Sequence, residues 1–164
     1  EPANVCSTLS IFISVMVNDE YWMRQALKLA QQAEQYGEVP VGAVIVLNNE
    51  LIGSGWNQPI SQQDPSAHAE IIALRAACLQ QQNYRLPNST MYITLEPCIM
   101  CAGAIVHARI ERVVYAATEP KTGAAGSCFD IFNTSQLNHR VKCEQGVLAE
   151  ESSQMLRDFF RSKR

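Results

Sequence analysis

His68, Glu70, Cys98 and Cys101 are the residues whose types and spacing are suited to chemistry in this chain of 164 residues. They stand in His68-Ala69-Glu70 and in Pro97-Cys98-Ile99-Met100-Cys101. Two cysteines three positions apart at a helix start put both sulfurs on one face. The positive end of the helix dipole favours their thiolates. Two thiolates and one imidazole supply three ligands for a tetrahedral zinc and leave the fourth position to water. A closed structural site needs a fourth protein ligand, and no other Cys or His has a suggestive spacing. Glu70 follows His68 by two positions, so it falls near the metal without having to ligate it. That is the place for a general acid and base acting on metal-activated water.

Taken singly, each element has a plainer reading. A lone CxxC is a redox pair or half of a structural zinc knuckle, and a lone His is a satisfied surface or core residue. Together, His-x-Glu and, about thirty residues on, Pro-Cys-x-x-Cys form the signature of zinc nucleobase deaminases. The other cysteines, Cys6, Cys78, Cys128 and Cys143, are scattered and read as buried structural thiols.

The elements that must carry these residues follow from periodicity and punctuation. Asn18 or Asp19 reads as an N-cap, and Tyr21, Trp22, Ala26, Leu29, Ala30 and Ala33 recur at helical spacing up to Gly37. Residues 39–47 are a continuous apolar run, Asn48-Asn49 a turn, and Leu51 to Trp56 a returning strand. A Pro-bearing loop over 57–65 leads to a helix over 66–81, with His68 near its start. Thr90 to Leu95 is a strand, and Pro97 opens a helix over 98–107. Arg112 to Ala116 is a fourth strand, residues 119–128 a Gly/Ala loop, Val141 to Cys143 a short fifth strand, and 149–161 a terminal helix. The alternation predicts a three-layer α/β/α sandwich around a mixed five-stranded sheet.

Composition agrees with one globular domain: 47% of residues are hydrophobic, 18% charged, and the net charge is −3, which excludes a disordered chain and a basic nucleic-acid coat. The average hides a split. Residues 1–70 carry 2 Lys and Arg against 8 Asp and Glu, and residues 71–164 carry 11 against 8. Arg157, Arg161, Lys163 and Arg164 crowd the last eight positions, as either a solvated helix end or a phosphate-binding edge. The apolar run over 9–17 is half the length of a membrane helix, preceded by Glu1, and not a secretion signal. Residues 1–18 are therefore expected to be a leader or tail outside a domain spanning 19–164, in a cytoplasmic protein.

The two motifs resemble the cytidine deaminase superfamily. The stretches VPVGAVIV, GWNQPI, DPSAHAEI, NYRL, TLEPCIMCAGAI, RIERVVY and PKTGAAGS narrow the resemblance to bacterial tRNA-specific adenosine deaminases over residues 19–164. That resemblance implies a cytidine deaminase-like fold, a homodimer, one zinc per subunit, and conversion of the wobble adenosine of an arginine tRNA to inosine in the anticodon stem-loop. It implies that His68, Cys98 and Cys101 hold the zinc and that Glu70 moves the protons. Asn57 would hydrogen-bond the purine, while Val41, Leu95 and the backbone of Ala69 line the base pocket. Lys121 would reach a phosphate, Phe160 would pack near the flipped-out nucleotide, and Arg161 and Arg164 would run along its phosphates. Glu119 stands where the family usually has Asp, so the ribose contact is kept but lengthened by a methylene. PKTGAAG is not a P-loop, since Gly follows Lys-Thr.

Two other readings use the same residues. A deaminase of a free nucleoside or base shares the zinc motif but has no use for a cationic C-terminal edge. A non-catalytic, zinc-stabilised RNA-binding module needs neither Glu70 nor an open coordination position.

Overall fold

The computed structural model describes residues 18–164. Of the leader or tail expected over 1–18, residues 1–17 lie outside the described residues, and Asn18 belongs to the domain as a helix cap. Asn18 is the N-cap of helix α1 (Asp19–Gln35), its side chain accepting from Tyr21 N at 3.1 Å. The remaining elements are β1 (Gly42–Leu47), β2 (Glu50–Trp56), α2 (Pro59–Gln62), α3 (Ala69–Gln81), β3 (Thr90–Leu95), α4 (Ile99–His107), β4 (Arg112–Ala117), β5 (Lys142–Gln145) and α5 (Ala149–Ser162).

The sheet order is β2-β1-β3-β4-β5. β1 runs antiparallel to β2 and β3, while β3, β4 and β5 are parallel. β1 and β2 join through Asn48 and Asn49, both with positive φ, the backbone a two-residue hairpin turn requires. Alternation along each strand separates two cores. Ala43, Ile45, Met91, Ile93, Val113 and Tyr115 face Ala73, Leu74 and Ala77 of α3 and Ala102, Ile105 and Val106 of α4. Val44, Val46, Tyr92, Val114 and Ala116 face Trp22, Met23 and Ala26 of α1 and, beside them, Val147 and Leu148 leading into α5. The expected mixed five-stranded sheet between helices is present.

Several boundaries differ from the sequence expectation, each for a local reason. The apolar run over 39–47 is strand only from Gly42. Pro40 has no N–H for a ladder, and Val41 N turns back to Val39 O at 2.8 Å. The helix expected over 66–81 starts at Ala69, because Asp64 Oδ1 accepts from Ser66 N and Oγ and holds the preceding residues in a turn. The fifth strand lies at 142–145, set by its pairing with Arg112 to Tyr115 of β4. The single turn α2 has no apolar period to announce it. Ala102, Ile105 and Val106 of α4 are buried in the chain's own core, with Ala104 partly buried against it. The face of α4 left exposed carries Ile99 and Met100, Ile99 at 53%.

Candidate active site

α3 and α4 begin at the same place on the molecule. His68 is the N-cap of α3 and Cys98 the N-cap of α4, both with extended backbone and neither using its side chain to cap. An N-cap residue is only half inside its helix, so its side chain can project past the helix end. Cys101, one turn into α4, is buried beneath them. Both sulfurs lie 3.6 Å from His68 Nδ1. The three candidate ligand atoms fall within 4.8 Å of one another, the group able to share a metal ion among the described residues. Zinc bonds of about 2.3 Å to sulfur and 2.0–2.1 Å to nitrogen, at tetrahedral angles, put N and S about 3.6 Å apart. The donor set and its spacing therefore fit zinc, with three protein ligands.

The electrostatics of the site agree with that chemistry. The Cys101 thiol donates to the Cys98 sulfur and, with His68 beside it, brings the Cys98 pKa down to about 4. The interaction with Cys98, together with burial, pushes the Cys101 thiol up. The bond to Cys98 also raises His68. Glu70, in the first turn of α3 and 3% exposed, is pushed up from the usual carboxylate range chiefly by burial. A carboxyl so placed both takes and returns a proton more readily near neutrality.

A cavity of about 130 Å³ opens beside this group, lined by Val39, Val41, Asn57, Leu95, Glu119 and Thr122 together with His68, Glu70, Glu96 and Cys98. Four of the residues expected at a substrate, Val41, Asn57, Leu95 and Glu119, are thus brought together. Asn57 Oδ1 accepts from Ala69 N at 2.9 Å. This bond ties the loop to the start of α3 and leaves the Asn57 NH₂ as the group available to a ligand. It also occupies the Ala69 N–H, and Ala69 is not among the residues lining the cavity. Lys121 is exposed and does not line the cavity, and its backbone N donates to Glu119 Oε1 at 2.9 Å. Phe160, Arg161 and Arg164 lie elsewhere, with Leu156 and Arg157 along one groove of α5. As the 100° step between neighbours on a helix requires, Phe159 packs inward at 6% exposure and Phe160 stands out at 51%.

Two buried glutamates beside the cavity were missed by the sequence reading. Glu38 accepts from Ile60 N at 3.2 Å and from Ser61 N and Oγ at 2.7 and 2.6 Å, fixing α2 behind Asn57. Burial alone would raise its carboxyl, but these bonds outweigh it and hold the carboxyl below the usual range. Glu96 does the same for the 119–127 loop. The available signal was a carboxylate set directly against an apolar strand in TMYITLEP.

Comparison with known proteins follows the same lines. The family described as the cytidine and deoxycytidylate deaminase zinc-binding region matches residues 16–117. A tRNA-specific adenosine deaminase of Haemophilus influenzae is 57% identical over 147 residues, 89% of this chain and 85% of that protein. A structure from a study of A-to-I editing by tRNA:A34 deaminases at the wobble position of transfer RNA is 40% identical. It superposes with a TM-score of 0.81, covering 83% of this chain and 99% of that one. A guanine deaminase structure from Bacillus subtilis is 34% identical with a TM-score of 0.62, covering 88% and 94%.

Proposed function

The chain belongs to the zinc-binding cytidine and deoxycytidylate deaminase family and, within it, to the tRNA-specific adenosine deaminases, and on that footing we propose that it converts the wobble adenosine of an arginine tRNA to inosine with Glu70 as the proton carrier. The observation that carries the reading is a buried Glu70 lining a cavity shared with His68 and Cys98. Residues 19–164 act as one deaminase domain.

The residues divide the work. His68, Cys98 and Cys101 hold zinc, which when bound supplies the Lewis acidity that brings the pKa of a water toward neutrality. Glu70 takes a proton from the attacking water and delivers protons to the ring nitrogen and the departing amine. The water oxygen bonds to C6, the C6–N bond breaks, and adenosine plus water becomes inosine plus ammonia. Asn57 orients the purine through its free NH₂, and Val41 and Leu95 grip its faces. Glu119 accepts from the ribose. The cavity is too small for a stacked strand, so the base enters flipped out, at least cost from a single-stranded anticodon loop.

The cationic end of α5, with Phe160 exposed among Arg157, Arg161 and Arg164, gives the anticodon stem-loop a surface that a free nucleoside would not use. Lys121 adds a charge on the loop beside the cavity. Two copies of the chain complete that surface as a homodimer, joined through the exposed Ile99 and Met100 end of α4. Among the described residues no helix is long and apolar enough to cross a membrane, and a tRNA substrate supports a cytoplasmic location. Incubation with an arginine tRNA bearing a wobble adenosine, read for inosine, tests the reading. Conversion is expected there and not on free adenosine or guanine. Turnover of the free compounds with the tRNA left untouched would establish the free-base reading instead.

A further inference from the structure

We propose that Glu96 is a positioning residue that sets substrate affinity by holding the Glu119 wall of the cavity. The proposal rests on the reading of this cavity as the substrate site. Glu96 is buried at the end of β3, and both of its oxygens are fully engaged. Oε1 accepts from Glu119 N at 3.0 Å and from Ser127 Oγ. Oε2 accepts from Ala125 N at 2.9 Å and Ser127 N at 3.1 Å. An ionised carboxylate offers about four lone-pair sites, and all of them are taken by the loop. Glu96 therefore has no capacity left for substrate or for proton transfer, in contrast to Glu70, although both line the cavity.

Three of the four donors are backbone N–H groups, spread from Glu119 to Ser127, so one carboxylate pins the loop at both ends. Between them lies Gly123, where a Cβ would run into the Glu96 carboxyl. The loop packs on Glu96 too closely for any other residue. The Glu119 carboxylate is fixed in turn by Lys121 N, within the segment Glu96 holds. The path runs from Glu96 to the Glu119 backbone, and from the Glu119 side chain to the cavity.

Glu96→Gln replaces one acceptor oxygen with an NH₂ that faces N–H donors, so part of the loop is released. The test is steady-state kinetics of the zinc-loaded enzyme on an anticodon stem-loop, with zinc content and amide hydrogen exchange measured on the same preparations. E96Q is expected to raise KM roughly tenfold with kcat nearly unchanged, zinc content unchanged, and faster exchange over 119–127. The double variant E96Q/E119Q should have the KM of E119Q alone, because Glu96 acts through Glu119. Ser127→Ala, which removes one hydroxyl donor and keeps the carboxylate, should raise KM in the same sense by less. It stands in for E96Q if that variant does not fold. Additive KM effects would overturn the proposal. So would loss of zinc or of kcat at constant KM, which would mean that Glu96 serves Cys98. A parent protein that leaves the stem-loop unmodified sinks the substrate reading, whereas a parent that turns it over while E96Q and S127A keep its KM sinks this proposal alone.

Discussion

His68 and Cys98 cap the N-termini of two neighbouring helices, with Nδ1 and Sγ 3.6 Å apart and neither side chain spent on its own helix. The first turns of α3 and α4 thus converge on one point. The positive ends of both helix dipoles stabilise negative charge there. The site is built from helix ends, and the sheet and both cores serve to hold those ends together.

Removing one ligand should therefore empty the site without unfolding the chain. Cys98→Ala is expected to fall from one zinc per chain to almost none and to lose deamination, with the circular dichroism spectrum little changed. Metal analysis checks this, and full occupancy in the variant would refute the ligand assignment.

Glu70→Gln should behave differently, since Glu70 is placed beside the ligands. Zinc content and stem-loop affinity are expected to stay, while turnover falls by about 10²–10⁴. Zinc loss in this variant would show that Glu70 coordinates the metal or supports its ligands.

What the sequence disclosed and what it hid follow from the range of the interactions. His68, Glu70, Cys98 and Cys101 were legible because metal chemistry constrains residue type and local spacing together. The sheet was legible because β1, β3 and β4 are apolar runs of β-branched residues between turn signals. Residues 39–41 were misread because apolar side chains serve a cavity wall as well as a strand. Glu38 and Glu96 were invisible in role because their partners, Ser61 and Ser127, lie 23 and 31 residues away. A buried carboxylate is interpretable only once its donors are known.

Gly55 of β2 should prove as necessary to the site as its ligands. A Cβ there would lie 2.6 Å from Ala69 O and 2.7 Å from the Ile72 Cβ, so α3 would have to move off the sheet. Gly55→Ala is expected to cost about 1–3 kcal/mol and to weaken zinc binding, because the displaced helix carries His68. Unfolding curves with zinc titration measure both. Unchanged zinc affinity with lowered stability would mean that the start of α3 is held by Asn57 alone.

The Asp19–Arg112 pair predicts the direction of a pH effect away from the site. Arg112 donates to both Asp19 oxygens, at 2.8 and 2.6 Å, and Tyr92 OH donates at 2.7 Å. The guanidinium holds the Asp19 carboxyl below the usual carboxylate range despite partial burial. A folded pKa below the unfolded one means stability that is complete above the unfolded value of 3.8 and lost as pH falls through the folded one. The pair is partly exposed, so Asp19→Asn should cost about 1 kcal/mol at pH 7. The difference from the parent should vanish in strong acid. Denaturant unfolding at a series of pH values checks it, and a gap that persists or widens below pH 3 would contradict the assignment.

The end of α5 decides between a tRNA and a free nucleoside. Phe159 is anchored in the core, and Lys163 stacks 5.3 Å from its ring centroid, whereas Phe160 faces outward between Arg157, Arg161 and Arg164. Among the described residues Arg161 has only a long contact with Asp158, 3.8 Å between exposed groups, which leaves its charge available to a phosphate. Deleting residues 161–164 removes Arg161, Lys163 and Arg164 and leaves both cores and the His68–Cys98–Cys101 group in place. Each phosphate contact to single-stranded RNA contributes roughly 0.7 to the slope of log affinity against log salt, so losing three should flatten that slope by about 2. Affinity for the stem-loop should fall with it, while zinc content and thermal stability change little, since a polar helix terminus adds little packing. The comparison is made by measuring stem-loop affinity across a salt series for the full and shortened chains. Equal affinities and equal slopes would reduce the basic end to a solvated helix terminus, and the active site would then be reading a nucleoside without its flanking phosphates.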